Sequence, residues 1–313
     1  MNNIIQTKNN GLIHLVVLIL IAIIYILFAS LGLQFTKFQQ SWILIIGILL
    51  GGIPHGAVDH LVQEQKNSLS GKSYNLIRFY LQYILIMGIY GITWYFFPLI
   101  SLTIFIFITA WHFGEADLFE FKWKSFQIRA LFYSIYGLWV ILFLLLSHWK
   151  EVYELLASLS NPEILIFLIK FSSFQVSFLQ FFKIFGVLIG GIIYLSDRNK
   201  NKTMVLYLVL IYVLEFLPLY LAFTLYFTFW HSIRSLSEIS SYLVLRGNIL
   251  KFIILTLPNT LIAILFLGGF YLIWIRKFPS GSFILAVFIL LSLLTMPHFF
   301  IMHSVFSRNK TKF

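Results

Sequence analysis

Cysteine is absent from the 313-residue sequence, which excludes disulfides, thiolate metal sites and a cysteine nucleophile. Charge is also scarce: Asp, Glu, Lys and Arg make up 11% of the residues, whereas a soluble domain carries about 25%. Too few charges remain to cover a water-facing surface. Hydrophobic residues make up 60% of the chain, and uncharged stretches such as 12–30 approach the roughly 20 residues that cross a bilayer core. We therefore expect an all-α polytopic membrane protein.

Hydropathy, read together with glycine, proline and charge, predicts about ten transmembrane helices bundled in a single integral membrane domain, residues 1–313. The predicted spans are 11–33, 41–60, 76–97, 99–118, 128–147, 179–196, 203–218, 219–236, 250–275 and 281–306. Pro98 and Pro218 mark tight reversals between helices. The stretch 148–177 is expected to be a loop that contains an interfacial helix. The first span has no obvious cleavage site and is interpreted as a retained helix.

The net charge of +11 is explained by topology rather than by a nucleic-acid partner. The Lys and Arg residues are scattered through short loops instead of forming one basic patch. With an even number of spans and both termini inside, most of them fall on the cytoplasmic side, as the positive-inside rule requires. We expect a multi-pass protein of the bacterial cytoplasmic (inner) membrane with both termini cytoplasmic.

Four of the eight histidines fall at similar depths in the predicted bundle: His55, His112, His231 and His298. Each lies near the cytoplasmic end of a span that runs from outside to inside, roughly 8 to 12 Å from that end. Polar residues within a membrane are costly and usually functional. Imidazole binds iron, copper, zinc and nickel, and bundle cores often hold such metals. The pattern predicts a catalytic metal site buried in the bundle, while His14 and His148 are interpreted as incidental.

Five polar residues close to these histidines are predicted to support the site: Asp59, His60, Glu115, Asp117 and His303. In the segment GGIPHGAVDH, residues 51–60, glycines allow close approach and Pro54 frees a carbonyl one turn back, so this helix is expected to bend. Asp59 is expected to accept the second ring N–H of a ligating histidine. Asp117 or Glu115 is expected to do the same for His112. His60 and His303 are expected at the cytoplasmic rim.

Four segments carry a resemblance to a known family: GIPHGAVDH, WHFGEAD, FWHSIRS and MPHFFIMH, in this order over residues 51–303. The chain resembles the Brp/Blh family of bacterial and archaeal β-carotene 15,15′-dioxygenases. The resemblance implies an Fe(II) (Fe²⁺) enzyme that splits the central double bond of β-carotene with O₂ to give two molecules of retinal. The implied iron ligands are His55, His112 and His231 with a fourth imidazole. The family's WHxxRH block has a second histidine where this chain has Ser235, so His298 is predicted as the fourth ligand.

The resemblance also implies partners. β-Carotene is insoluble in water, so the enzyme would take it from the lipid bilayer, and a microbial rhodopsin could receive the retinal. Aromatic residues that adjoin the predicted ligands are expected to line the substrate tunnel, where their ring faces could stabilise cationic character in the polyene. These residues are Trp111, Phe113, Trp230, Phe299 and Phe300.

Two other functions remain open from the sequence. A membrane di-iron desaturase or hydroxylase also places histidines near cytoplasmic helix ends, but its sites need about as many histidines as the whole chain contains. A transporter could use intramembrane His and Asp residues to carry protons or metal ions, although no internal repeat of the kind frequent in transporters is evident.

Overall fold

A computed structural model describes residues 2–121, 123, 125–196, 201–245, 248–277 and 283–307. Within these ranges the chain forms only helices, turns and short connections, so the predicted all-α fold is confirmed. The helices are α1 (Asn2–Ser30), α2 (Lys37–Gly47), π1 (Ile48–Gly52), α3 (Ile53–Gly56), α4 (Asp59–Leu69), α5 (Leu76–Phe96), α6 (Pro98–Leu118), α7 (Phe126–Ser147), α8 (Trp149–Ala157), α9 (Pro162–Ser172), α10 (Gln175–Ser196), α11 (Asn201–Leu214), α12 (Leu219–Phe223), π2 (Thr224–Ser232), α13 (Ile233–Tyr242), α14 (Ile249–Lys277) and α15 (Phe283–Ser307).

Among the described residues, eight helical stretches are long and apolar enough to cross a membrane. They are Gly11–Ser30, Lys37–Leu69, Leu76–Phe96, Pro98–Leu118, Phe126–Ser147, Gln175–Leu195, Leu250–Arg276 and Phe283–Phe306. The other two predicted spans correspond to the shorter apolar helix Lys202–Leu214 and to the helical run α12–π2–α13. The total of ten crossings stays a prediction.

The connections follow the local chemistry of the chain. Pro98 is the first residue of α6 and Pro218 directly precedes α12, so each proline lies where one helix gives way to the next. The stretch 148–177 contains two short helices, α8 and α9, with α9 capped by the Asn161 side chain. Asn75 and Ser125 cap α5 and α7 in the same way, by accepting from a backbone N–H of the first turn.

Helices α6 and α7 pack with their backbones in close contact. A Cβ atom added at Gly114 would overlap the backbone of Tyr133, and one added at Gly137 would overlap the backbone of Ala110. Small residues at such positions let membrane helices approach each other closely. Because Gly114 comes two residues after His112, this contact sets the position of that histidine in the bundle.

Candidate metal and substrate site

The structure brings the four predicted histidines together from four separate helical segments. His55 lies on α3, His112 on α6, His231 on π2 and His298 on α15, and each side chain is buried. The ring centroids of His55 and His298 are 4.7 Å apart and those of His112 and His298 are 5.2 Å apart. The ring of His231 lies 4.9 Å from that of His112 and 5.6 Å from that of His55. The four imidazoles thus form a closed ring of neighbours, here called the histidine cluster.

Three members of the histidine cluster come close enough to share one ion. One ligand atom each from His55, His112 and His298 lies within 4.8 Å of the others. This is the one such group among the residues that the structure describes. His231 lies outside this closest set but directly beside it. The histidine that the sequence placed by depth alone, His298, is therefore in the tightest group.

Six of the eight ring nitrogens of the cluster are buried without a hydrogen-bond partner. His55 Nδ1, His298 Nε2 and both ring nitrogens of His112 and His231 are buried and unpaired. A buried polar atom without a partner costs about 1–3 kcal/mol, so six such atoms in one place would be strongly unfavourable. A bound cation would satisfy one nitrogen of each ring, because a neutral imidazole nitrogen with a free lone pair is a good ligand. The donor set therefore fits a metal ion.

Two π-helical turns shape this site. Pro54 has no N–H to donate and its ring would clash with the carbonyl one turn back, and the helix widens over π1 immediately before it. π2 contains His231. A Cβ atom at Gly51 would come within 2.7 Å of Thr228 Cγ2, so the two π-helices meet where only glycine fits. Such π turns are frequent at functional sites.

Asp59 holds the ring of His298 in place. The His298 Nδ1–H donates to the Asp59 carboxylate, with distances of 2.8 Å to Oδ1 and 3.0 Å to Oδ2. Tyr83 donates its hydroxyl to the same carboxylate at 3.1 Å. This bond fixes the tautomer of His298 and leaves Nε2 with its lone pair facing the cluster. The expected carboxylate–histidine pair thus exists, with a histidine of another helix as its partner.

The expected contacts of His112 with Glu115 and Asp117 are wrong, because neither ring nitrogen of His112 has a hydrogen-bond partner. Glu115 instead accepts from His303 Nδ1 at 3.0 Å. Asp117 lies five residues after His112, which turns its side chain about 140° around the helix axis. Both carboxylates are therefore bound to groups outside the cluster.

Asp117 is the centre of a second buried network, on the far side of α6. Its carboxylate accepts from Trp230 Nε1 at 2.9 Å and from the Tyr226 hydroxyl at 2.9 Å. Both donors belong to π2, and Trp230 precedes His231 in the chain. The Arg234 guanidinium lies over the Trp230 ring, 5.3 Å from its centroid. This network holds the π2 segment against α6.

His60 lies at the edge of the site rather than in the cluster. Asn259 donates its side-chain N–H to His60 Nδ1 at 3.1 Å and to the Ala57 carbonyl at 2.8 Å. Tyr80 donates its hydroxyl to the Asn259 carbonyl oxygen at 3.0 Å. These bonds link α4, α5 and α14 beside the histidine cluster.

An apolar cavity of about 600 Å³ reaches the histidine cluster. All four cluster histidines line it, together with residues of α5, α6, π2, α14 and α15. Of the predicted tunnel residues only Phe113 lines this cavity. Trp111, Trp230, Phe299 and Phe300 are not among the residues that line this cavity: the Trp230 indole N–H donates to Asp117, and the Phe300 side chain is 58% exposed. Their contact with the substrate stays a prediction.

Eight further aromatic residues line the cavity, from α5, α6, α12, π2 and α14. They are Phe79, Tyr80, Tyr83, Phe105, Phe223, Phe227, Phe266 and Phe270. Most of them lie far in sequence from the histidine motifs, and no local pattern distinguishes them from lipid-facing aromatics. The sequence could have indicated Phe227 as a lining residue, because it lies about one turn before His231 on the same helix.

The two histidines interpreted as incidental lie apart from the cluster. His148 places Nδ1 at 2.8 Å from the Leu144 carbonyl and Nε2 at 2.7 Å from the Leu217 carbonyl, at the junction of α7 and α8. The His14 ring packs against Trp230 at 5.7 Å. With His60 and His303 also paired elsewhere, the chain's remaining histidines do not assemble a second metal group within the described residues.

These features define a class: a polytopic helical membrane protein whose buried histidine cluster opens onto an apolar cavity. A family model described as Beta-carotene 15,15′-dioxygenase matches residues 46–305. The chain belongs to this family, and the expectation of an enzyme, an oxidoreductase that acts on carotenoids, is confirmed.

A curated relative supports the same assignment. The Beta-carotene 15,15′-dioxygenase of uncultured marine bacterium 66A03 is 27% identical to this chain over 282 residues, which cover 87% of this chain and 96% of the relative. No solved structure gives a significant match.

Proposed function

We propose that the chain binds one Fe(II) ion at the histidine cluster and cleaves the central 15,15′ double bond of β-carotene with O₂. The bond breaks between two carbons, and each carbon takes one oxygen atom, so that one β-carotene and one O₂ give two retinal molecules. The family match supports the cleavage of carotene to retinal. The proposed metal site is supported by the buried, unpaired ring nitrogens of His55, His112, His231 and His298.

The chemistry of the donor set favours a redox-active metal. Four neutral imidazoles leave the positive charge of the ion uncompensated and can leave coordination positions open for O₂. When bound, ferrous iron supplies the oxygen-activating chemistry of the site. The described residues form one group of this kind, which supports one iron per chain over a di-iron centre.

The protein's own side chains hold and shield this site. Asp59 and Tyr83 orient His298, and the Phe113 ring lies 4.4 Å from the ring of His231. The Phe227 ring packs against two of the histidines, with its centroid 6.0 Å from that of His55 and 5.9 Å from that of His231. These aromatic rings exclude water from the cluster and give the polyene an apolar surface on which to lie.

The proposal includes the location and partners of the protein. The distribution of Lys and Arg supports a multi-pass protein of the bacterial cytoplasmic membrane with both termini cytoplasmic and one integral membrane domain over residues 1–313. The apolar cavity supports uptake of β-carotene from the bilayer. A microbial rhodopsin is a proposed recipient of the retinal.

Expression in a bacterial strain that accumulates β-carotene tests the reaction. Cells with the wild-type chain are expected to lose orange colour and to contain retinal, identified by chromatography and mass. His112→Ala should abolish retinal, whereas His14→Gln, an imidazole outside the cavity, should not. Accumulation of an intact, hydroxylated or desaturated carotenoid instead of retinal would overturn the proposal.

A further inference from the structure

The cavity reaches the outer surface of the bundle between α5 and α14. Three residues that line it are also widely exposed: Ile84 is 64%, Ile262 is 62% and Phe266 is 48% exposed. A side chain that lines a cavity and is also exposed must lie at its mouth. Ile84 belongs to α5 and the other two belong to α14. The mouth therefore lies between these two helices.

Glycines keep this mouth open. Gly88 and Gly91 line the cavity one turn apart on the same face of α5. A Cβ atom at Gly88 would meet nothing within 4 Å, and one at Gly91 would meet only Leu293 Cδ2 at 3.9 Å. Glycine within a helix costs about 1 kcal/mol relative to alanine. Here the missing side chains leave a gap that neighbouring residues do not fill.

The surface around the mouth is apolar. Side chains that flank it on α5 and α14 are exposed and aliphatic: Leu81, Leu85, Ile89, Leu261 and Leu265. Helices α5 and α14 also have the least buried windows among the candidate spans, 11% and 17%. Of the Asp, Glu, Lys and Arg residues that the structure describes, only Asp59 lines the cavity, and it is paired with His298 and Tyr83. The mouth therefore faces hydrocarbon rather than water.

Residues along much of α5 line the cavity behind the mouth. Along α5 it extends from Phe79 to Gly91, about 18 Å at 1.5 Å per residue. The hydrogen bond between Tyr80 and Asn259 joins α5 to α14 at one end of this length. The gap at Gly88 lies farther along the same two helices, so a rod-shaped molecule could slide in sideways without the two helices separating.

We propose that the gap bounded by Gly88, Gly91, Ile262 and Phe266 is a lateral portal through which β-carotene enters the cavity from the lipid phase. The inference rests on the proposed function for the identity of the substrate. It adds the route, because a long apolar polyene has no favourable path through water. Closing the gap slows delivery of the substrate but leaves the histidine cluster intact.

The absence of cysteine allows the portal to be closed after the protein has folded. Gly88→Cys is purified in detergent with its metal and treated with benzyl methanethiosulfonate, which dithiothreitol removes. The matched control is Gly191→Cys on α10, since Gly191 also has open space around a Cβ and does not line the cavity. Gly91→Cys provides a second portal position. The initial rate of retinal formation is measured at limiting β-carotene before labelling, after labelling and after reduction.

We expect labelling of Gly88→Cys to lower that rate about tenfold, the equivalent of one overpacked contact, and reduction to restore it. Labelling of Gly191→Cys should change the rate by about twofold at most. An unchanged rate in fully labelled Gly88→Cys and Gly91→Cys, or an equal loss in the control, would overturn the portal.

A second readout separates the portal from the reaction. The protein is mixed, without O₂, with micelles that contain β-carotene. At successive times it is separated from the micelles, and the β-carotene bound to it is measured by absorbance. If wild-type protein formed no retinal at all, the proposed reaction would fail, yet slower carotene capture by labelled Gly88→Cys would still support the portal. Capture at the same rate with and without the label would refute it.

Discussion

The Asp59 carboxylate lies 2.8 Å from His298 Nδ1, although the two residues are 239 positions apart in the chain. This bond ties the first turn of α4 to the middle of α15 and aims the second nitrogen of His298 at the other three imidazoles. Carboxylates in this position commonly raise the basicity of a ligating histidine and fix its orientation. The bond therefore fixes the orientation of His298 relative to the other three histidines.

Asp59→Asn should therefore weaken the metal site without removing a ligand. Loss of such a partner typically lowers metal affinity or activity by about 10- to 100-fold. Titration of purified protein with Fe(II) and the rate of retinal formation measure the effect. Glu215→Gln is the control, because Glu215 pairs with Lys183 and does not line the cavity. Wild-type affinity in Asp59→Asn would show that His298 needs no orienting partner.

Asp117→Asn tests how π2 is held. An amide in place of the carboxylate leaves at least one of the three buried donors, Trp230 Nε1 and the hydroxyls of Tyr226 and Tyr136, without an acceptor. The free energy of unfolding should fall by about 1–3 kcal/mol. Bound iron should fall as well, because His231 follows Trp230. Thermal unfolding in detergent and metal analysis check the two effects, and unchanged values of both would contradict this role for Asp117.

The close contact of α6 and α7 gives a prediction about stability. Gly114→Ala places a methyl group against the Tyr133 backbone, and overpacking of this kind typically costs about 1–3 kcal/mol. Gly191→Ala is the matched control, because its Cβ meets nothing within 4 Å. The control should keep or slightly raise the unfolding temperature, while Gly114→Ala should lower it. Equal unfolding temperatures would mean that the helix contact tolerates a side chain.

Ser235 tests which residue is the fourth ligand. It is fully buried and its hydroxyl has no hydrogen-bond partner, one turn after His231 at the position where the family's motif has histidine. Because His298 lies in the closest group of ring nitrogens, Ser235→His should not restore bound iron to His298→Ala. Metal analysis of the double variant decides. Full restoration of iron would indicate that position 235 can take the place of His298.

The sequence predicted the helical membrane fold and the four histidines because both depend on position along a helix, which spacing reveals. It could not predict which carboxylate pairs with which ring. That outcome depends on the rotation of each helix about its axis and on the neighbouring helices. Asp59 is hydrogen-bonded to His298, and Glu115 is hydrogen-bonded to His303. The cavity was missed for the same reason: Phe79, on α5, is distant from every histidine motif.

Iron content tests the central claim most directly. Wild-type protein purified anaerobically and loaded with Fe(II) should retain one iron per chain, measured by mass spectrometry of the metal against protein concentration. His55→Ala, His112→Ala and His231→Ala should each retain much less, with no retinal formed. Retention of one iron per chain and full retinal formation in any of these variants would contradict the ligand role of that histidine. Two irons per chain in the wild type would contradict the single-metal site.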